Sequence, residues 1–528
     1  MSLDADGTDE SDGSAAPSEA ANAGADAAVK SSDPGTDAAG VKRRRFLHGA
    51  AATATTGVGL GVAGCLGGEE PSGDAGDLPE PAASVTRESD GEGVIYQYFH
   101  TPWREVEADL DLLADAAVDA VWLPQPARGK LEFQHLATAD QEGFYEPEHP
   151  EFGHLEPHPP LGYQPVDLRE FDGALGTERE LRSLVETAHD RGIEVIVDTV
   201  LNHMANPDPA PADLWGDADD PTATTRLDWP QFETEEHFTH VPADDYRGEI
   251  ENDQYDESLL ALPNLDVRHP EVQAAHADYL TAITDMGVDG VRFDAAAHVW
   301  PWYFEEEIIP LCADLGLWRV GEVWEESHTD RLLEYVDTGM DVFDFPLYAD
   351  VVDAFEQTDL SLVAEGNGVV HKNPDAAVTF VQNHDAAGPG VGPGSPEGEP
   401  MRLATALILS YPGTPHLFHT AVGEDLEDDR VRDLIRVKNA LARGELVHRH
   451  VGREVYLYER EGNLLAGINV GDDLHTYTVE AGWEPGTALV DYAGEGEPIE
   501  VDDTGEVAVS VPGGDYVMYA PEQSVTHD

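Results

Sequence analysis

Positive charge is scarce in this chain. Its 528 residues include 29 Lys or Arg against 106 Asp or Glu, a formal net charge of -77, and lysine is confined to Lys30, Lys42, Lys130, Lys372 and Lys438. That balance disfavours a nucleic-acid partner, because phosphate contacts need a basic face. Cysteine is nearly absent as well, and Cys65 and Cys312 cannot build a disulfide framework. Cys312 falls in the apolar pattern Ile308, Ile309, Leu311, Cys312, Leu315, a helix face on which a small buried hydrophobe is expected. The uncharged run from Gly49 to Gly64 is too short and too rich in Gly and Thr to span a bilayer.

What the chain does contain is an ordinary core fraction, 41% hydrophobic residues, under an acidic surface that prefers Arg to Lys. Such charge would strain a compact fold in dilute buffer, where screening reaches only about 10 Å at 0.1 M salt. The composition is that of a halophilic protein living in molar salt. A chain kept disordered by its charge fits only the first part of the sequence.

Residues 1–40 are Ala, Gly, Asp and Ser with almost no large apolar group, too little to bury a core. Lys42, Arg43, Arg44, Arg45, Phe46 and Leu47 then precede the uncharged run, which ends in Val62, Ala63, Gly64 and Cys65. The pattern resembles a twin-arginine export signal closed by a lipobox, so residues 1–65 are expected to direct export and Cys65 to carry a lipid anchor at the outer cell surface. Residues 66–89, rich in Gly, Glu, Pro and Asp, read as a flexible linker.

From Gly93 onward short apolar strands alternate with amphipathic helices. Strands are predicted at 94–99, 120–123, 194–199, 289–294, 318–323, 341–345, 377–382 and 416–419, with a helix such as Glu178 to Arg191 between them. Eight such units over residues 90–446 predict an α/β fold, a closed (β/α)8 TIM barrel, with an open doubly wound sheet as the alternative. Residues 204–264 interrupt the pattern and read as a small domain inserted after the third strand. Residues 447–522 alternate as strands with Gly turns, the signature of a C-terminal antiparallel β-sandwich.

The predicted strand ends carry the polar residues. Arg292 and Asp294 lie two apart on one strand, hence on one face, where the guanidinium can hold the carboxylate ionised; a buried structural ion pair gives the same pattern. The third strand ends in Asp198, Thr199, Val200, Leu201, Asn202, His203, the fifth in Gly321, Glu322, Val323, Trp324, and the seventh in Phe380, Val381, Gln382, Asn383, His384, Asp385. A Glu beside a Trp would be partly desolvated and could keep a proton near neutrality, as a general acid must.

In this order and spacing, Asp-x-x-x-Asn-His, Gly-x-Arg-x-Asp-x-x-x-His, Gly-Glu-x-Trp and Phe-Val-x-Asn-His-Asp resemble the sequence regions of the α-amylase family, glycoside hydrolase family 13, and Leu262 to Asp266 is similar to its Leu-Pro-Asp-Leu-Asp segment. The resemblance implies that Asp294 is the nucleophile, Glu322 the general acid and base, and Asp385 the transition-state stabiliser of a retaining hydrolase. It places Tyr163, His203, Arg292, His298, Trp324 and His384 around the bound sugar. It implies a Ca²⁺ held by Asn202, the carbonyl of His298 and the position of Asn264, where the family has Asp; Asp256 could restore the missing charge. Ala297 stands where the family commonly has Lys, and the segment from His416 to Glu424 matches poorly.

The activity so implied is extracellular cleavage of internal α-1,4-glucosidic bonds in starch-type polysaccharides by a monomer that meets the membrane only through its lipid anchor. An α-glucosidase or transglycosylase acting on malto-oligosaccharides is the second reading, and a non-catalytic glucan-binding lipoprotein the third.

Overall fold

The computed structural model describes residues 93–99, 101–129, 162–173, 175–205, 229–232, 236–240, 255, 259, 262–385, 396, 398–419, 426, 429–494 and 496–522. The export signal, Cys65, the linker, Asp256 and most of the inserted segment lie outside the described residues.

Eight parallel strands close on themselves: β1 Ile95–Gln97, β2 Ala120–Leu123, β3 Glu194–Val200, β4 Gly290–Asp294, β5 Trp318–Gly321, β6 Asp341–Phe343, β7 Ala377–Phe380 and β8 Thr414–Phe418. Each neighbours the next in sequence, and β1 pairs with both β2 and β8, from Ile95↔Ala120 and from Ile95↔His416. These are the eight predicted strands, most of them ending earlier than the sequence pattern suggested. The residues just beyond their carboxyl ends are therefore loop, free to turn over the barrel mouth.

A helix follows every strand: α1 Trp103–Asp115, α2 Glu178–Asp190, α3 Pro270–Asp285, α4 Ile309–Leu315, α5 Thr329–Thr338, α6 Phe345–Gln357, α7 Glu399–Ser410 and α8 Asp429–Ala440. The local rules are visible in α2. Thr177 and Glu180 form a reciprocal capping box, and Leu181, Leu184, Val185 and Ala188 recur at the spacing that puts all four on the buried face. The barrel interior is filled by Ile95, Trp122, Ile196, Val320, Phe343, Val378 and Phe380, so it is a packed core and not a channel. Among the described residues no helix is long and apolar enough to cross a membrane.

Between β3 and α3 the described part of the insertion pairs Phe238–His240 with Asn264–Leu265. After the barrel come antiparallel strands, β9 Leu446–Val451, β10 Val455–Arg460, β11 Leu464–Asn469, β12 His475–Glu480, β13 Ala488–Asp491, β14 Ile499–Glu500, β15 Glu506–Val511 and β16 Asp515–Pro521. They form a six-stranded sheet in the order β9, β10, β11, β16, β13, β14 and a two-stranded sheet of β12 and β15, closed over Leu457, Leu465, Val507, Val509 and Val517. The sheet is fused to the barrel. Asp515 on β16 receives Arg402 of α7 at 3.1 Å and Arg430 of α8 at 2.6 Å, both guanidinium groups lie over the Tyr516 ring, and Ser410 meets the Tyr458 hydroxyl at 2.6 Å.

Candidate active site

The strand register delivers the polar residues to one mouth. On β3 and β4, Asp198 pairs with Arg292 and Val200 with Asp294; on β4 and β5, Phe293 pairs with Gly321, which places Glu322 one step beyond and beside Asp294. Gly321 leaves room there for Met340, whose sulfur an added Cβ would meet at 2.5 Å.

Arg292 is the hub. Its Nη1 donates to Asp198 Oδ1 at 2.8 Å and to Asp294 Oδ1 at 2.7 Å, and its Nη2 lies 2.8 Å from Glu322 Oε1. The guanidinium is 1% exposed and lies 5.2 Å from the Trp122 ring and 5.7 Å from the Tyr163 ring. Beyond the strand, Ala295 takes a left-handed turn with φ 47°, and its N–H donates to Glu322 Oε2 at 2.8 Å. Arg292 thus fastens three carboxyl groups at once, and its place is beneath the site.

One cation does not neutralise this cluster, because the Asp385 carboxyl adds its charge beside Glu322 and Asp294. Carboxyl groups crowded around a single guanidinium do not all ionise together. Burial raises all four acids and the Arg292 guanidinium opposes it: Glu322 and Asp198 are each pushed up to about 7, and Asp294 and Asp385 are raised. Exposure separates the roles further. The Asp385 side chain is 38% exposed, whereas those of Asp294 and Glu322 are each 11% exposed, so Asp385 opens onto the cleft.

Aromatic and imidazole groups wall the mouth. Tyr163 donates its hydroxyl to Asp198 Oδ2, stacks on His384 at 5.2 Å and lies 5.9 Å from Phe99; Phe99 stacks on His384 at 4.5 Å. His384 Nε2 sits 3.2 Å from Asp385 Oδ2. His203 is neutral, its pKa lowered to about 4 by burial, and both its nitrogens are engaged: Nε2 with the Tyr163 carbonyl at 3.0 Å and Nδ1 with the Asn202 amide at 3.3 Å. Trp324 stacks on Phe345 at 4.8 Å and donates to Glu326 at 3.0 Å, next to the site. His298 closes the short helical turn that follows Asp294.

Gln97, Phe99, Trp122 and His416 belong to the same site and were not expected from the sequence. Gln97 and His416 left one trace, a polar residue inside an otherwise apolar strand.

Residues 102–310 match the family model for the alpha amylase catalytic domain. Over that stretch the chain is similar to the α-amylase family. It is 27% identical over 281 residues to an alpha-amylase of Streptomyces violaceus, covering 50% of this chain and 47% of that one. It is 24% identical over 408 residues to a cyclomaltodextrin glucanotransferase of Bacillus sp. strain 38-2, covering 69% and 53%. The chain therefore spans about half the length of these curated relatives. Its fold is similar to that of a solved Anoxybacillus alpha-amylase, with a TM-score of 0.62 at 18% identity over 83% of this chain and 99% of that one.

The donor set at the base of the insertion can be tested against the Ca²⁺ that the resemblance implies. Asn264 is 1% exposed; its Nδ2 donates to Thr239 Oγ1 at 2.8 Å and to the Tyr255 carbonyl at 2.9 Å, while its Oδ1 is buried with no partner among the described residues. Asn202 lies alongside, its carbonyl accepting from Leu265 N–H at 2.9 Å. An unsatisfied amide oxygen beside a second amide is a hard, neutral donor pair, which fits Ca²⁺ without the charge that makes such sites tight. His237, His269 and Glu271 form another cluster, with ligand-type atoms within 4.8 Å of one another. Those atoms already hold structure: His269 Nδ1 caps α3 by accepting Glu271 N–H at 3.2 Å, and His237 Nε2 meets Glu271 Oε2 at 2.9 Å.

Proposed function

We propose that the chain is an exported retaining glycoside hydrolase that cleaves internal α-1,4-glucosidic bonds of starch-type polysaccharides. The observation that carries this reading is the Arg292 bridge, which fastens Asp294 and Glu322 to one guanidinium while Asp385 stands more open to the cleft.

The chemistry follows from that arrangement. The Asp294 carboxylate attacks the anomeric carbon as the glycosidic C–O bond breaks, and the Glu322 proton passes to the departing oxygen. The more open Asp385 carboxylate faces a ring that develops positive charge, so its contribution appears in the transition state. Water then gives a proton to Glu322, attacks the same carbon and releases Asp294.

Where Ca²⁺ is bound, Asn202, Asn264 and the His298 carbonyl would hold it, tying the insertion to the turn after Asp294. Its contribution is rigidity. The twin-arginine pattern and Cys65 support export and anchoring of a monomer at the outer surface, and the charge of -77 supports work in molar salt.

Soluble starch and maltose assayed in parallel in high salt test the reading. An early fall in viscosity with little glucose released is expected. Cleavage of maltose alone would replace it with an α-glucosidase, and no turnover on any α-glucan with a non-catalytic binding protein. Transglycosylation is the second reading, favoured by the likeness to a cyclomaltodextrin glucanotransferase; cyclic or lengthened products from starch would establish it.

A further inference from the structure

A chain of hydrogen bonds crosses the barrel mouth from β8 to the end of β7. His416 Nε2 lies 3.1 Å from Gln97 Oε1, Gln97 Nε2 lies 2.8 Å from His384 Nδ1, and His384 Nε2 lies 3.2 Å from Asp385 Oδ2. His416 and Gln97 are each 1% exposed and His384 is 5% exposed, so water does not compete for the two bonds that link them. The Trp122 ring packs against both imidazoles, at 5.0 Å from His416 and 5.7 Å from His384.

The direction of the chain can be deduced. His416 Nδ1 is buried and has no partner among the described residues. A bare lone pair is tolerated there better than an orphaned N–H, so the proton of His416 is on Nε2 and is donated to Gln97 Oε1. Burial lowers the His416 pKa to about 3, which keeps the ring neutral with that single proton. Gln97 must then present its amide nitrogen to His384 and donate to Nδ1. The remaining ring proton of His384 is on Nε2, facing the Asp385 carboxylate. Turning the Gln97 amide over would orphan an N–H on His416 and set the bare Nε2 of a neutral His384 against the Asp385 oxygens.

We propose that Gln97 and His416 are positioning residues that fix His384 as the neutral Nε2–H tautomer, so that it donates to Asp385. The proposal deepens the glycosidase reading and rests on it for the catalytic consequence. A fixed donor at His384 holds the orientation of Asp385 as the sugar ring develops positive charge. Charged groups near His384 are Asp385 at Nε2 and, behind Trp122 and Tyr163, Arg292 with Asp198, Asp294 and Glu322. Among the described residues, Tyr163 and His416 are its other titratable neighbours.

Histidine-selective ¹⁵N NMR of the full chain in high salt tests this directly, because the two ring nitrogens report tautomer and charge; the His384→Asn spectrum identifies the signals. The Nε2–H form is expected between pH 6 and 8, and an Nδ1–H form or an imidazolium would overturn the proposal. His416→Gln keeps a donor to Gln97 and should retain both the tautomer and kcat. His416→Leu removes the donor, and it should give mixed tautomers and about a tenfold lower kcat with KM little changed. A folded His416→Leu protein with the wild-type spectrum and kcat would also overturn it. Should that variant not fold, the wild-type spectrum decides alone. A wild-type protein inactive on every α-glucan would end the glycosidase reading while leaving the tautomer result intact.

Discussion

The backbone N–H of Ala295 donates to Glu322 Oε2 at 2.8 Å, so the residue that follows one acid of the site is tied directly to the other. The left-handed turn at Ala295 makes the contact possible, at a cost on the order of 1–2 kcal/mol for a residue with a Cβ. Asp294 and Glu322 are thereby held as a unit by Arg292 on one side and main chain on the other, the preorganisation that a two-carboxylate mechanism needs.

Separate roles for the two acids give the first prediction. Asp294→Asn and Glu322→Gln should each lower starch hydrolysis by at least about 10²-fold with circular dichroism unchanged. On a glycosyl fluoride, whose leaving group needs no proton, Glu322→Gln should still release fluoride in a burst and Asp294→Asn should not. Equal loss in both variants would contradict the assignment.

A second prediction concerns pH. Glu322 must be protonated to act and loses its proton at about 7, so kcat/KM should fall about tenfold per pH unit above that value. Stability should follow a different curve. Glu322, Asp198 and Asp344 rise from ordinary values of 4.5, 3.8 and 3.8 to about 7, 7 and 6, so the folded state binds extra protons and stability falls as pH climbs through those windows. His203, His276 and His416 drop from 6.5 to about 4, 3 and 3, so the folded state binds fewer protons and stability rises through theirs. The two sets oppose each other between about pH 4.5 and 6, and the carboxyls act alone from 6.5 to 7. Thermal melts should therefore show a plateau ending in a shallow decline. A steep monotonic change in melting temperature between pH 4.5 and 6 would show that these six groups do not set the balance.

Arg292→Lys should be far from conservative. A single ammonium cannot bridge Asp198, Asp294 and Glu322 as the planar fork does, and an unpaired buried carboxylate costs about 3–5 kcal/mol. The expected result is a large loss of melting temperature at neutral pH, partly recovered near pH 5 as the freed carboxyl takes a proton. Calorimetry at the two pH values checks it.

Asn264→Asp should turn a neutral site into a charged one. In EDTA the buried carboxylate has no cation and the melting temperature should drop; with millimolar Ca²⁺ it should rise above that of the wild type. An identical response of both proteins to Ca²⁺ would place the ion elsewhere.

Dilution from molar to millimolar NaCl should unfold the protein, because a charge of -77 then repels itself over longer distances. Circular dichroism across that range reads the result, and an unchanged spectrum would overturn the halophilic reading.

The parts of the fold that were legible in the sequence are those with a local signature. Alternation of apolar strands with stripes such as Leu181, Leu184, Val185 and Ala188 located all eight strands, and the spacing of Arg292 and Asp294 put both on one face. The two-residue rule could not show that Arg292 also reaches Asp198 and Glu322, since those contacts depend on register between strands distant in sequence. Gln97 and His416 were hidden for the same reason. They lie 319 residues apart and become neighbours only when the last strand closes on the first.

Asp515, clamped by Arg402 and Arg430, has a consequence for how the molecule is made. The two helices that complete the barrel find this anchor on β16, the last of the described strands. A ribosome must release the chain past residue 515 before the cylinder can lock, and loss of β16 would leave α7 and α8 with a sticky, unanchored flank. Truncation at residue 446 should yield an aggregating fragment rather than a smaller working enzyme.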